Sequence, residues 1–150
     1  MCSLREELLQ VFTIYAGLFV WSFLAATLLP LGSEAALIAI VRSEGQLVMP
    51  VLVATAGNYL GACTTYWIGR RAAQALGKNQ GEGETNNTRA SRLLRRYGQP
   101  ALLLSWVPFI GDALVVLAGG MKLPFLQFSF WTVLGKAARY LVVAWAASVL

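Results

Sequence analysis

Histidine is absent from the 150 residues, which removes imidazole acid–base chemistry and most zinc sites. Charge is scarce: 13% of residues are Asp, Glu, Lys or Arg, about half the roughly 25% of an average soluble domain. Cysteine is limited to Cys2 and Cys63, too few and too distant for a metal-ligand spacing or a disulfide framework. Cys2 is near the chain start, and Cys63 lies inside an apolar run, where it reads as a small packing residue ahead of a reactive thiol. Seven acids are spread along the chain. Two acids 78 residues apart are thin support for the dense carboxylate cluster of a Mg²⁺-dependent lipid phosphotransferase. An enzyme is therefore not expected, nor a cofactor or a bound metal.

Apolar residues make up 57% of the chain, more than a domain of this size can hide from water. An all-α integral membrane protein follows. The net charge of +5 does not point to nucleic acid, because its distribution is local. Arg70, Arg71, Lys78, Arg89, Arg92, Arg95 and Arg96 face Glu82 and Glu84 alone, so the segment 70–96 carries the whole surplus. A basic loop between apolar spans is the cytoplasmic signature. No cleavable signal peptide is expected: Arg5-Glu6-Glu7 is not a basic leader, and the apolar run behind it is longer than the roughly 7–15 residues of an h-region.

The apolar stretches have an order. Residues 8–29 carry no charge, and about 20 apolar residues suffice for a helical span. Pro30, Gly32 and Ser33 then break the run, with Ser33 placed to cap a new helix and Glu34 in its first turn. That helix is too short to cross before Arg42, so it reads as the returning arm of a re-entrant hairpin, tolerated at depth only where protein or water covers it. A full crossing by 8–29 is the other arrangement that fits. Residues 46–68 form the next span and hold Gly57, Asn58 and Gly61, a small-residue spacing for close helix approach. The stretch 77–88 is a polar linker. Residues 89–96 read as a short basic helix, with Arg92 and Arg96 (and Arg70 at the preceding span's end) at anionic headgroups. Membrane anchoring and specific capture of a lipid phosphate both fit that helix.

The second half repeats the first at an offset of 78. Pro30-Leu31-Gly32-Ser33-Glu34-Ala35 lies over Pro108-Phe109-Ile110-Gly111-Asp112-Ala113, Gly57 over Gly135, Asn58 over Lys136 and Gly61 over Arg139. The arms 101–107 and 113–118 form a second hairpin around Pro108 and Gly111, and 123–150 is a long span. Because the first half ends where the second begins, the halves run in opposite senses, as in the inverted repeats of many secondary transporters. An N-terminal helix over 1–17 precedes a membrane domain over 18–146, with halves at about 18–71 and 96–146.

Glu34, Asp112, Lys136 and Arg139 are ionisable groups in or beside apolar segments, and such groups are costly unless paired or functional. A static ion-pair cluster is one reading, although desolvation often outweighs the Coulomb gain. In the other, an acid carries a proton, while Lys136 and Arg139 receive an anionic headgroup. Asn58 lies at matching depth.

Several strings resemble one family. Leu28-Leu29-Pro30-Leu31-Gly32-Ser33-Glu34, Gly57-Asn58-Tyr59-Leu60-Gly61, Tyr66-Trp67-Ile68-Gly69-Arg70, Arg96-Tyr97-Gly98 and Leu103-Leu104-Ser105-Trp106-Val107-Pro108-x-x-Gly111-Asp112 are similar to the DedA superfamily, also called the VTT or SNARE-associated domain. The likeness is strongest to its small YqaA-type branch and covers about residues 18–146. It implies two facing re-entrant hairpins and a bacterial inner-membrane location. It also implies transport of polyprenyl phosphate or phospholipid linked to the proton motive force, with a role in membrane homeostasis. Many members carry two arginines around the second hairpin's proline and an acid ahead of the first hairpin. Here those places hold Ser105 and Gly111, and Trp21 and Ser22. The implied partners are membrane lipids, an anionic lipid phosphate and protons, and a homodimer is compatible. A structural or regulatory membrane protein without substrate, and a small ion transporter, are the alternatives.

Overall fold

The computed structural model describes residues 2–27, 32–75, 89–107 and 110–149. It is all-helical, with no strand among those residues. Six α-helices follow in order: α1 (Cys2–Thr27), α2 (Ser33–Glu44), α3 (Val48–Ala75), α4 (Arg89–Tyr97), α5 (Ile110–Gly120) and α6 (Phe125–Val149); a 3₁₀ helix, η1 (Gln99–Trp106), precedes α5.

The outside of the molecule is apolar. Leu126 is 82% exposed, Phe12 72% and Trp145 65%, and Leu52, Ile68, Phe130 and Leu141 also face outward. Water does not tolerate such a surface over whole helices; hydrocarbon does. By length and composition, Arg5–Thr27 is the one described stretch apolar enough to cross a membrane, at mean hydropathy 1.8. The 28 residues of α3 and 25 of α6 reach about 42 and 38 Å at roughly 1.5 Å per residue, but they carry polar groups inward.

α1 runs unbroken past residue 17, so the separate N-terminal helix expected over 1–17 and the arm after it are one element. α2 begins at Ser33, but Ser33 does not cap it. The N-cap is Gly32, at φ 132°, with no side-chain cap bond; only glycine adopts that backbone without strain. At the other end Gly45 takes φ 65° and its N–H returns to the Val41 carbonyl at 3.0 Å, a left-handed stop. Pro30 and Pro108, expected at the two breaks, lie outside the described residues, as does the linker 77–88 with Lys78, Glu82 and Glu84. In α4 the sequence period sorts itself: Ala90, Ser91 and Leu94 are buried, while Arg89, Arg92, Arg95 and Arg96 are exposed.

Packing follows the offset of 78. α1 lies along α3 as η1 lies along α6, and the short helices cross over: α5 packs on α3, and α2 on α6. The buried residues accordingly form two clusters. One holds Ala62, Tyr66, Leu102, Leu114, Val115 and Phe128, the other Leu18, Leu37, Val41, Val51, Tyr140 and Ala144. Leu37 and Val115, Ala62 and Tyr140, and Tyr66 and Ala144 are offset mates, and each pair is split between the clusters. Each core thus joins one short helix to the opposite half's long helix.

α3 and α6 are antiparallel. Asn58 meets Tyr140, Tyr59 meets Ser129 at 2.7 Å, and Tyr66 stacks on Phe128 and donates to the Leu123 carbonyl at 2.6 Å. Glycines set the spacing on both sides. A Cβ on Gly57 would strike the Phe19 carbonyl oxygen, one on Gly61 would come within 2.6 Å of the Phe23 oxygen, and one on Gly135 within 2.6 Å of the Leu103 oxygen. The expected Gly57–Gly61 approach is therefore to α1, and Gly135 makes the matching approach to η1.

A candidate polar site between the two halves

Between the clusters, α3 and α6 turn polar faces to each other. Thr132, Lys136 and Tyr140 follow at four-residue intervals, so they share one stripe of α6. All three are buried, Lys136 at 5% exposure. Asn58 on α3 is the hub. Its Oδ1 accepts from Lys136 Nζ, and its Nδ2 donates to the Tyr140 hydroxyl at 2.6 Å. Tyr140 also bonds the Ser33 hydroxyl at 2.9 Å. A continuous polar chain therefore runs from Lys136 through Asn58 and Tyr140 to the first residue of α2.

One residue on from Ser33 in α2, and one residue back from Tyr140 in α6, a second link repeats the connection. Arg139 Nε donates to Glu34 Oε1 at 2.7 Å, and its Nη2 pairs with the same oxygen. Arg139 Nη1 donates to the Trp106 carbonyl at 3.0 Å, at the end of η1. A single guanidinium thus touches the break in each half: the start of α2 and the end of η1. The pair is only partly shielded, Glu34 being 32% exposed and Arg139 14%.

Asp112 stands apart. It lies on the first turn of α5, half-buried, within electrostatic reach of Lys136 and Arg139. Among the described residues, Glu34 and Arg139 form the ion pair within 4.0 Å, and Asp112 has none. Its neighbour Gly111 sits so close to Ser105 that a Cβ would strike the Ser105 carbonyl oxygen. The Ser105 hydroxyl in turn is 3.2 Å from a Cβ built on Gly135, beside Lys136. Ser105 and Thr132 are buried hydroxyls without a hydrogen-bond partner among the described residues, an unusual state for buried polar atoms.

Of the residues expected from sequence, Glu34, Asn58, Asp112, Lys136 and Arg139 thus lie in one region. Arg70, Arg92 and Arg96 lie elsewhere. Arg70 is half-buried against its own helix, 5.4 Å from the Trp67 ring centroid and 3.5 Å from the Tyr66 hydroxyl. Arg92 and Arg96 are exposed on α4 with Arg89, flanking a shallow groove with Leu93 and Tyr97. Sequence reasoning missed Tyr140, which is fully buried and bonded on two sides. The available signal was its place one turn after Lys136 and its phenolic hydroxyl, which needs a partner when buried.

The model of the VTT domain matches residues 10–149. The chain belongs to the VTT-domain (DedA) family. It is 42% identical over 140 residues to the inner membrane protein YqaA of Escherichia coli strain K12, covering 93% of this chain and 92% of that one, and to the Shigella flexneri protein of that name by the same measures. An uncharacterized Haemophilus influenzae protein is 39% identical over 134 residues, covering 84% of this chain and 82% of its own. No solved structure matches.

Proposed function

We propose that this member of the family is a proton-linked carrier of a phosphate-bearing lipid, polyprenyl phosphate or phospholipid, in the bacterial inner membrane, where it serves membrane homeostasis. The observation that carries the reading is the position of Glu34, Asp112, Lys136 and Arg139. They gather where the two halves meet, between two apolar cores that pack without them. Desolvating charges in such a place can cost more than their pairing returns, which favours a role in moving something. Two acids and two bases suit the cargo. A guanidinium and an ammonium bind phosphate, and a carboxyl that takes up a proton links occupancy to a gradient.

Architecture supports the same reading. The antiparallel meeting of α3 and α6, and the crossed packing of α2 and α5, fit an inverted repeat whose axis lies in the membrane plane. The 8 residues of η1 span about 16 Å at roughly 2.0 Å each, and the 11 of α5 about 16 Å; neither reaches across roughly 30 Å of hydrocarbon. They suit a re-entrant pair. In this reading the chain crosses the membrane more than once, and the Lys and Arg surplus of the segment 70–96 favours the cytoplasmic side for it. No bond is made or broken in this scheme, so the protein is read as a carrier and not as an enzyme.

One observation favours a second reading: the Glu34–Arg139 pair, braced by Trp106, has the form of a structural tether. A protein that only scaffolds would need nothing more. The test is translocation of labelled polyprenyl phosphate and phospholipid in proteoliposomes, comparing the native chain with Glu34→Gln and Asp112→Asn. The carrier reading expects transport by the native chain and its loss in Asp112→Asn at normal protein levels. Transport no faster than in empty vesicles, for both lipids, supports the scaffold.

A further inference from the structure

The two acids at the breaks are mates by position and unlike in their bonding. The first turn of α2 is fastened twice to α6, through Ser33 to Tyr140 and through Glu34 to Arg139. Carrying the same two contacts across the offset of 78 would join Gly111 and Asp112 of α5 to Gly61 and Ala62 of α3. Glycine and alanine offer nothing to bind. One tip is tethered to the opposite long helix, and among the described residues the other has no such tether.

Lys136 supplies what α3 lacks. It is buried, and its ammonium has three donors. Asn58, a neutral amide, is its one hydrogen-bond partner among the described residues. Within electrostatic reach of Lys136 lie Asp112 on α5, the Cys63 thiol on α3 and the Arg139 charge on its own helix. From η1 the Ser105 hydroxyl lies beside the adjoining Gly135. Asp112 has Lys136 and Arg139 as its charged neighbours; α4, which also packs on α5, turns Ala90 and Leu94 inward and its arginines outward. Arg139 is already committed to Glu34 and Trp106. Lys136 is the cation with donors to spare.

We infer that Lys136 is the switching cation of the transport cycle, moving between Asn58 at the centre and the Asp112 carboxylate on α5, with the protonation of Asp112 deciding which partner it takes. This deepens the carrier reading and rests on it for its purpose. With Asp112 ionised, the ammonium draws the start of α5 toward α6, replacing the missing tether. When a proton from the aqueous side binds a carboxylate oxygen of Asp112, the attraction ends, Lys136 stays with Asn58, and the α5 tip is released. The ammonium keeps its protons throughout, and the proton on Asp112 leaves as it came. Glu34–Arg139 stays closed in both states, so one proton moves one hairpin and not two.

The test reads motion directly. With Cys2→Ser and Cys63→Ala as background, a nitroxide is placed on α5 at Val116→Cys or on α2 at Ala39→Cys, both exposed positions. Electron paramagnetic resonance spectra are then taken in liposomes over an alkaline-to-acid pH series. The mobile component at 116 should grow from a minor share to the dominant one as pH falls. It should be dominant at all pH values in Asp112→Asn and in Lys136→Gln, and should keep its pH response in Lys136→Arg. The label at 39 should not change. A pH-independent spectrum at 116 in the native background, or a response at 39 as large as that at 116, overturns the inference. If 116 responds while no lipid is translocated, the switch stands and the lipid reading falls; translocation with an unresponsive 116 has the opposite meaning.

Discussion

Lys136 Nζ donates to Asn58 Oδ1, so two residues holding the same place in successive halves meet each other. Offset mates can touch only near a two-fold axis. The antiparallel course of α3 and α6 puts that axis perpendicular to both helices. The same axis explains why α2 packs on α6 and α5 on α3. The pair is also where the symmetry is broken chemically, an amide facing an ammonium.

Asn58 should therefore be harder to replace than its size suggests. Asn58→Leu leaves Lys136 without its amide and removes a donor to Tyr140. Each buried polar group left unpaired costs roughly 1–3 kcal/mol, so the melting temperature in detergent should fall markedly. Asn58→Asp keeps an acceptor for Lys136 and should retain more stability than Asn58→Leu. Equal melting of the two variants would show that the amide's bonds contribute nothing.

The Glu34–Arg139 pair separates a tether from a carrier group. Removing one partner should cost roughly 1–3 kcal/mol, less than the roughly 3–5 kcal/mol of a fully buried pair, since Glu34 is partly exposed. Glu34→Gln and Arg139→Gln should each lower the amount of folded protein, and the exchange Glu34→Arg with Arg139→Glu should recover part of it. Quantitative membrane immunoblots and detergent melting check this. No recovery in the exchanged protein would show that the bond to Trp106, which needs a guanidinium at 139, outweighs the pair.

The helix approaches make a sharper forecast. A methyl group on Gly57 has no space, because the Phe19 carbonyl oxygen occupies it, and that oxygen belongs to backbone. Gly57→Ala should push α1 from α3 and destabilise by about 1–3 kcal/mol, the usual cost of overpacking. Gly17→Ala, whose Cβ would meet nothing within 4 Å, should be neutral or stabilising by up to about 1 kcal/mol through helix propensity. Limited proteolysis and melting in one detergent distinguish them.

Much of this was legible in the residues. The acids Glu34 and Asp112 in the first turns of α2 and α5, and Asn58 over Lys136, follow from a duplication that survives in the sequence at places where polar groups interrupt apolar runs. The short basic helix from Arg89 was legible because arginine cannot enter hydrocarbon cheaply. The role of Ser33 was misread, because a serine before a helix ordinarily caps it, whereas here Gly32 makes the turn and frees the hydroxyl for Tyr140, 107 residues away. Tyr140 itself was hidden: a tyrosine in an apolar run also fits a membrane interface, and only tertiary packing decides. The unequal tethering of the two tips needed side-chain contacts, since an offset shows which residues correspond and not which are bonded.

The arginines of α4 carry the last prediction. Arg89, Arg92 and Arg96 share one exposed side of the helix, while Ala90 and Leu94 fix the opposite side to the core. That arrangement holds the charges outward without asking them to support the fold. Anionic lipid near such a stripe gains roughly 1 kcal/mol per arginine, about fivefold each. The combined change Arg89→Gln, Arg92→Gln and Arg96→Gln should thus deplete anionic lipid retained by the purified protein, as read by mass spectrometry, while melting stays within about 0.5 kcal/mol, as for ordinary surface changes. Arg70→Gln should behave differently. Its guanidinium lies over Trp67 and reaches the Tyr66 hydroxyl, so the loss should appear in stability more than in lipid retention. If Arg70→Gln depletes anionic lipid as strongly as the triple change, headgroups are held along the end of α3 as well, and α4 is not the principal contact.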